Sequence, residues 1–153
     1  MRDYVQIYLR SNKQYRQILE LLRFRTTFIE FVPVCPNEDV VLRWALRHLE
    51  LLEKGTATNW HGALGDASAY TRYLFRWDET VFRYFMSLHN FFIYYVDPDG
   101  VEGDRIYETE FYWTDVTFFD EEMKPLFFTI THEGDALLHN SLIDLYKITE
   151  ETP

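Results

Sequence analysis

Residues 116–131 have the sequence VTFFDEEMKPLFFTIT, in which two apolar runs of strand length flank a short charged segment. Phenylalanine, valine, isoleucine and threonine favour strands, and a charged segment of this length is typical of a turn. Two such runs around a short turn predict an antiparallel hairpin. We therefore expect an antiparallel sheet built around residues 116–131.

The residues before this hairpin extend the predicted sheet. From Arg105 to Trp113 the side chains alternate between an aromatic face and an acidic face, and the acidic face carries Glu108 and Glu110. Residues 91–96 form another apolar run of strand length. The antiparallel sheet is thus expected mainly in residues 91–131.

Helical spacing of apolar residues dominates the first 90 residues. It predicts helices over residues 12–24 and 38–54, with a short strand over 26–32 between them. Helical spacing recurs over residues 66–77, and a further helix is expected over 78–90. Strands compete with helices in this last region, because its tyrosine, phenylalanine and valine residues also favour sheets.

The end of the chain completes the predicted fold. Apolar residues between Ser141 and Ile148 predict a closing C-terminal helix. Helices mainly in residues 12–90, followed by an antiparallel sheet mainly in residues 91–131, are typical of the α+β class. No repeat or linker divides the sequence, so residues 1–153 are interpreted as a single domain.

Aromatic residues make up 18% of the chain, with 13 Phe, 11 Tyr and 4 Trp. Rings at helical and strand spacing usually belong to a core, but this number allows two further uses. One is a ligand cavity lined by Tyr and Trp, and the other is a protein interface, where the same residues are enriched. Buried Tyr hydroxyls need partners, so we expect several of these rings to reach a surface, a pocket or an interface.

The formal charge of the chain is −10, and the acidic residues are unevenly placed. Residues 1–76 carry 11 basic and 8 acidic side chains, whereas residues 77–153 carry 4 basic and 17 acidic ones. This balance argues against binding to nucleic acid or to an anionic membrane surface. A charged partner should therefore be basic, although an acidic surface also serves solubility alone.

The sequence favours a cytoplasmic protein. Cys35 is the only cysteine, which excludes an intramolecular disulfide and suits a reducing compartment. The N-terminus lacks the uninterrupted apolar segment of a secretory signal, and no 18 apolar residues run without a charge. Neither secretion by a standard signal nor membrane insertion is expected.

No catalytic motif stands out in the sequence. The histidines do not have zinc-ligand spacing, and neither a phosphate-binding loop nor a nucleophile motif is present, so we expect no metal and no cofactor. His132 and Asp135, close together after a predicted strand, could serve an aromatic-lined pocket together with His89. The alternative is that residues 133–135 simply turn the chain.

Two functions remain, and we favour the first. It is a non-enzymatic binding module whose acidic, aromatic-rich face holds a basic protein, as immunity proteins and antitoxins do when they neutralise basic toxins. The second is a small-molecule-binding protein or enzyme with an aromatic-lined cavity, and a homodimer held by surplus aromatic residues is a third alternative. The expected partner contacts are Glu108, Glu110, Tyr112, Trp113, Asp115, Asp120, Glu121 and Glu122.

Overall fold

The structure is a computed structural model that describes residues 3–34, 40–57, 70–92, 94–96, 105–107 and 109–151. In these residues the strands form a seven-stranded antiparallel sheet and a separate two-stranded sheet. The strands are Tyr4–Ile7 (β1), Phe28–Pro33 (β2), Leu51–Thr56 (β3), Thr71–Arg76 (β4), Tyr94–Val96 (β5), Arg105–Tyr107 (β6), Thr114–Phe119 (β7), Pro125–Ile130 (β8) and Asp135–His139 (β9). The helices are Asn12–Leu22 (α1), Val40–His48 (α2), Glu79–Met86 (α3) and Ile143–Glu151 (α4). The α+β class and the closing helix are confirmed.

The predicted hairpin lies at the centre of the large sheet, whose strand order is β1-β9-β8-β7-β2-β4-β3. β7 and β8 pair with Phe118 opposite Phe127, which confirms the hairpin. The short strand expected over residues 26–32 is also confirmed as β2, which pairs with β7 so that Ile29 lies opposite Phe118. The hairpin therefore anchors the strands on both of its sides.

The sheet is larger than the segment 91–131, because β1 to β4 all precede it in the chain. The helix expected over residues 38–54 was too long, since α2 ends at His48 and β3 begins at Leu51. Lys54, the last residue of the expected helix, lies in β3 and pairs with β4, as does the following Gly55. Strand pairing with a distant segment outweighs the local helical signal here.

The helix expected over residues 66–77 was wrong in its described part, where Thr71–Arg76 forms β4. The segment favours a strand through Tyr73 and Phe75, and Leu74 is compatible with one. β4 lies between β2 and β3 in the sheet. In that position Ile29 of β2 lies opposite Phe75. The spacing that resembled one helix face therefore belongs to a strand that is paired on both sides.

The helices pack on one face of the sheet, and side-chain caps fix where two of them begin. Ser11 Oγ accepts a hydrogen bond from the backbone N–H of Gln14 at the start of α1. Asp78 accepts a hydrogen bond from the backbone N–H of Val81 at the start of α3. No helix in the described residues is long and apolar enough to cross a membrane.

The core between helices and sheet is built from aromatic rings. Phe85 of α3 is fully buried, and its ring contacts Phe31, Phe111 and Phe118 at centroid distances of 6.1, 5.1 and 5.9 Å. These rings come from α3, β2, β7 and the turn before β7, so aromatic packing joins the helices to the sheet. Many of the aromatic residues therefore belong to the core, as their helical and strand spacing predicted.

The other face of the sheet is also buried, and it carries charge. Phe128, Ile130 and Leu137 form an apolar cluster with Tyr4 on the β1 side of this face. Nearer the middle, Glu30 lies on the same face with only 6% of its surface exposed. Arg72 Nε donates to Glu30 Oε2 at 2.6 Å, which places an ion pair inside the fold.

Candidate protein-binding surface

The acidic and aromatic residues expected to form one face lie at opposite ends of β7. Trp113 immediately precedes this strand and Asp120 immediately follows it. Seven residue steps in an extended chain span about 23 Å. The predicted face is therefore two separate surfaces, and Glu108 lies outside the described residues. We call the Trp113 side of the sheet the aromatic end and the Asp120 side the acidic turn.

The aromatic end is formed by a turn, although a strand was expected there. Residues 110–113 adopt turn conformation. Of the strand predicted to run from Arg105 to Trp113, the structure shows Arg105–Tyr107 as a strand. Phe111 is fully buried beneath the turn, and its N–H donates to Thr109 Oγ1 at 3.0 Å. The Thr109 hydroxyl in turn donates to the carbonyl of the buried Asn90 at 2.6 Å. Core packing and buried hydrogen bonds thus fix the base of the turn.

Tyr112 and Trp113 project from this fixed base. Their side chains are 37% and 41% exposed, and their rings meet edge to face at a centroid distance of 6.4 Å. Tyr112 has a φ of 53°, in the left-handed region that is uncommon for a bulky residue. Backbone strain of this kind is concentrated at functional positions. The chain therefore holds two neighbouring rings at its surface at a cost in local conformational energy.

Acidic residues accompany these rings. Thr131 Oγ1 lies 2.9 Å from the carbonyl oxygen of Thr114, which holds the short 3₁₀ helix Thr131–Glu133 against the start of β7. Gly134 follows with a φ of 70°, a conformation that glycine adopts without strain, and it turns the chain into β9. As a result, Glu133 and Asp135 lie at the same end of the sheet as Trp113.

Asp115 does not belong to this surface, and its predicted role as an exposed contact was wrong. Only 3% of the residue is exposed. Its carboxylate accepts hydrogen bonds from the N–H and the hydroxyl of Thr131, at 2.7 and 2.8 Å. Because side chains alternate along a strand, Asp115 on β7 points to the second face of the sheet. Its role is to tie β7 to the segment after β8.

The three residues of the alternative pocket are not joined by any contact that the structure describes. His89 Nδ1 lies 3.0 Å from Glu110 Oε1, on a partly exposed part of the aromatic end. Asp135 Oδ1 instead accepts from Gln6 Nε2 at 2.7 Å. His132 lies in the 3₁₀ helix, and its side chain is outside the described part of the molecule. The pocket remains a prediction.

The acidic turn has a different structure. Asp120 Oδ1 accepts from the backbone N–H groups of Glu122 and Lys124, both at 2.9 Å, which closes the turn between β7 and β8. Glu121 and Glu122 are exposed beside Met123, whose φ is 63°. Asp120 is thus largely a structural residue, whereas Glu121 and Glu122 are available to a partner.

Nearby charge also affects Tyr4, which lies at this end of β1. Burial raises the pKa of the Tyr4 hydroxyl, and the negative charges of Asp3 and Asp120 raise it further. The hydroxyl donates to the carbonyl oxygen of Pro125 at 3.0 Å. Tyr4 therefore remains neutral and links β1 to the start of β8.

The surface of α1 carries two open grooves. A groove of about 420 Å³ is lined by residues of α1 together with Met86 and Thr149, and one of about 340 Å³ lies between β1 and α4. Neither lining includes His89 or Asp135. Among the described residues, no group of three or more His, Cys, Asp and Glu side chains could hold a metal ion.

Comparison of the chain with protein-family models, with curated proteins and with solved structures finds no match.

The strained turn is the feature that sequence reasoning missed. Phe111, Tyr112 and Trp113 are all typical strand residues, so their alternation predicted a continuous strand. The left-handed backbone at Tyr112 has no signal in the sequence, because glycine or asparagine usually marks such a position. The buried Phe111 ring and the buried hydrogen bonds of Thr109 explain why the chain turns there.

Proposed function

We propose that this chain is a non-enzymatic, cytoplasmic protein-binding module that holds a basic protein partner at its aromatic end. The observation that carries the proposal is the pair of exposed rings, Tyr112 and Trp113, on a strained turn with a buried base. Rigid aromatic side chains are the residues that most often dominate binding energy at protein interfaces. A fixed turn also reduces the entropy lost on binding.

The carboxylates at the aromatic end support a basic partner. Glu110 lies in the same turn as the two rings, the exposed Glu133 lies at the same end of the sheet, and the chain as a whole carries −10. Such charges speed the encounter with a positively charged protein and disfavour acidic ones. An immunity protein or antitoxin that neutralises a basic toxin is one class with these properties.

The test compares matched variants at the two ends of the sheet. Trp113→Ala removes an exposed ring at the aromatic end, and Met123→Ala removes a similarly exposed apolar side chain, 39% exposed, at the acidic turn. Each tagged variant and the unmodified chain are purified from the native cells at low and at high salt, and bound proteins are identified by mass spectrometry. The affinity for the recovered partner is then measured by calorimetry.

We expect a stoichiometric basic protein that the unmodified chain and Met123→Ala retain at low salt and release at high salt. Trp113→Ala should bind it at least about tenfold more weakly, as expected for an anchoring ring. Equal binding by Trp113→Ala would contradict the proposal. Loss of binding in Met123→Ala alone would place the interface at the acidic turn instead.

A further inference from the structure

The two edges of the large sheet are not equivalent. β3, at one edge, has a register irregularity between Leu51 and Glu53 and presents charged side chains, which are features that protect an edge from pairing. β1, at the other edge, has the sequence Tyr-Val-Gln-Ile and pairs in regular register with β9. Val5 and Gln6 are exposed on it. β1 is therefore the edge that can accept another strand.

The hydrogen-bond pattern of β1 shows which backbone groups face outward. The carbonyl oxygen of Asp3 accepts from the N–H of Asn140 at 2.7 Å, so the backbone of Asp3 faces the β9 side. Backbone groups alternate sides along a strand, which directs those of Val5 and Ile7 towards β9 as well. The N–H and C=O groups of Tyr4 and Gln6 then point away from the sheet. An added strand would find a regular set of donors and acceptors there.

A groove of about 340 Å³ runs beside this edge, between β1 and α4. Val5 and Ile7 line one side of it, and Ile143 and Tyr146 of α4 line the other. A strand paired with β1 would direct every second side chain into this groove. The groove therefore offers an apolar site for alternate residues of an extended peptide.

The charges in the groove lining are positive. Arg10 and Lys147 are both exposed and both line the groove, and its described lining contains no carboxylate. The Arg10 guanidinium lies 5.2 Å from the centroid of the Tyr8 ring, and neither basic side chain forms an ion pair with another described residue. This groove therefore attracts acidic ligands, whereas the rest of a chain of net charge −10 attracts basic ones.

We propose that β1 and its groove bind an extended acidic segment of another protein by strand addition. Backbone hydrogen bonds to Tyr4 and Gln6 supply affinity, alternate apolar side chains enter between β1 and α4, and flanking carboxylates contact Arg10 and Lys147. This is the general mode in which an exposed sheet edge recognises a peptide. The site is separate from the aromatic end and does not depend on the function proposed for it.

The probe is a fluorescent peptide of sequence Asp-Glu-Val-Thr-Ile-Thr-Glu-Asp, whose Val and Ile alternate with Thr and whose ends are acidic. Binding to the intact chain is followed by fluorescence anisotropy, and the amide signals of Tyr4 and Gln6 are followed by NMR. A second peptide replaces each acid by lysine. Two further peptides carry N-methyl groups either on Val and Ile or on both Thr residues.

The N-methyl pair tests strand addition directly. Successive backbone N–H groups of an extended peptide point to opposite sides, so only one of the two methylation patterns removes the donors that face β1. We expect one pattern to abolish binding and the other to leave it within about threefold of the parent peptide. Equal binding of both patterns would overturn the proposal of strand addition.

Charge selection has its own matched variants. Lys147→Glu reverses a charge in this groove, and Lys13→Glu makes the same change in the larger groove beside α1. We expect Lys147→Glu to weaken binding of the acidic peptide by roughly threefold to tenfold, and Lys13→Glu to change it by less than about twofold. The lysine peptide should bind at least about tenfold more weakly than the acidic one. Equal binding of both peptides would overturn the acidic assignment.

A second copy of this chain is the competing occupant of the edge. Sedimentation of the protein alone should show a monomer, and the amides of Tyr4 and Gln6 should exchange rapidly with solvent. A dimer in which these two amides are protected, and which the acidic peptide does not dissociate, would show that β1 pairs with itself and would overturn the proposal.

Discussion

The buried ion pair between Glu30 and Arg72 makes stability sensitive to a single substitution, Arg72→Met. Arg72 Nε donates to Glu30 Oε2 at 2.6 Å, and the two side chains are only 8% and 16% exposed. A second Arg72 contact, with Glu53 at 2.5 Å, involves a carboxylate that is 59% exposed and so contributes little. Replacing the arginine leaves Glu30 as a buried charge without its ionic partner.

The expected cost of Arg72→Met is about 3–5 kcal/mol at neutral pH, because removing one partner of a buried pair uncovers the full desolvation penalty of the other. Native proteins have a total free energy of unfolding of roughly 5–15 kcal/mol, so this loss is large. Replacing both residues by methionine removes the uncompensated charge. The double variant should recover most of the loss and lie within about 1 kcal/mol of the unmodified chain.

The same pair predicts how the loss depends on pH. Burial raises the pKa of Glu30, and the hydrogen bond and positive charge of Arg72 hold it down, so Arg72→Met lets this pKa rise further. When a carboxyl has a higher pKa in the folded state than in the unfolded state, the protein loses stability as the pH rises from the unfolded-state pKa to the folded-state pKa. The cost of Arg72→Met should therefore be larger at neutral pH than at pH values near the ordinary range of glutamate.

Urea denaturation followed by circular dichroism, at about pH 7 and about pH 5, measures these effects in the single and double variants. The reasoning would be refuted if Arg72→Met cost under about 1 kcal/mol at pH 7. It would also be refuted if the cost were equal at both pH values, or if the double variant were as unstable as the single one. Each of these results would mean that Arg72→Met does not leave an uncompensated buried charge at Glu30.

Three further predictions concern stability alone. Phe85→Ala should cost about 3–5 kcal/mol in urea denaturation, because its ring packs against several others in the core, and a loss below about 1 kcal/mol would contradict that packing. Asp78→Ala should cost about 1 kcal/mol by removing the cap of α3, and Asp78→Asn should retain most of the stability in the same assay. Tyr112→Gly should be at least as stable as the unmodified chain in thermal unfolding, whereas Tyr112→Ala should be less stable than Tyr112→Gly, since only glycine adopts a φ of 53° without strain. The reverse order would show that this backbone is not strained.

The parts of the fold that were predicted correctly are those with strong local signals. The β7–β8 hairpin combines two strand-favouring runs with a turn, and α3 begins at the capping residue Asp78. The centre of the sheet follows from these local elements together with β2. Local chemistry sufficed there because it agrees with the long-range pairing.

The parts that were wrong are those in which pairing with a distant segment decides the structure. β3 and β4 carry apolar residues at helical spacing, but each has a strand partner from elsewhere in the chain. β1 and β9 are short and include the polar residues Gln6 and Asp135, so neither has a distinct strand pattern. They become strands because β9 pairs with β8, and β1 then pairs with β9. Single-sequence patterns do not contain this information.

The candidate surface differed from its prediction for a geometrical reason. Charges that are neighbours in the sequence were expected to share one face, but a six-residue strand, β7, separates Trp113 from Asp120. Alternation along β7 also turned Asp115 inward, where it bonds to Thr131. The prediction of a basic partner rested on net charge alone, whereas the position of each charge depends on where a strand begins and ends.

The same geometry makes the two proposed binding surfaces separable by experiment. Along the sheet, β7 and β1 are three strand positions apart, which corresponds to about 14 Å between their axes. Substitutions at such distances usually have additive effects when they share no partner. Trp113→Ala and Lys147→Glu should therefore add in their effect on stability, and Trp113→Ala should leave binding of the acidic peptide unchanged. A non-additive effect of the two substitutions on the affinity for a purified basic partner would mean that this partner spans both surfaces.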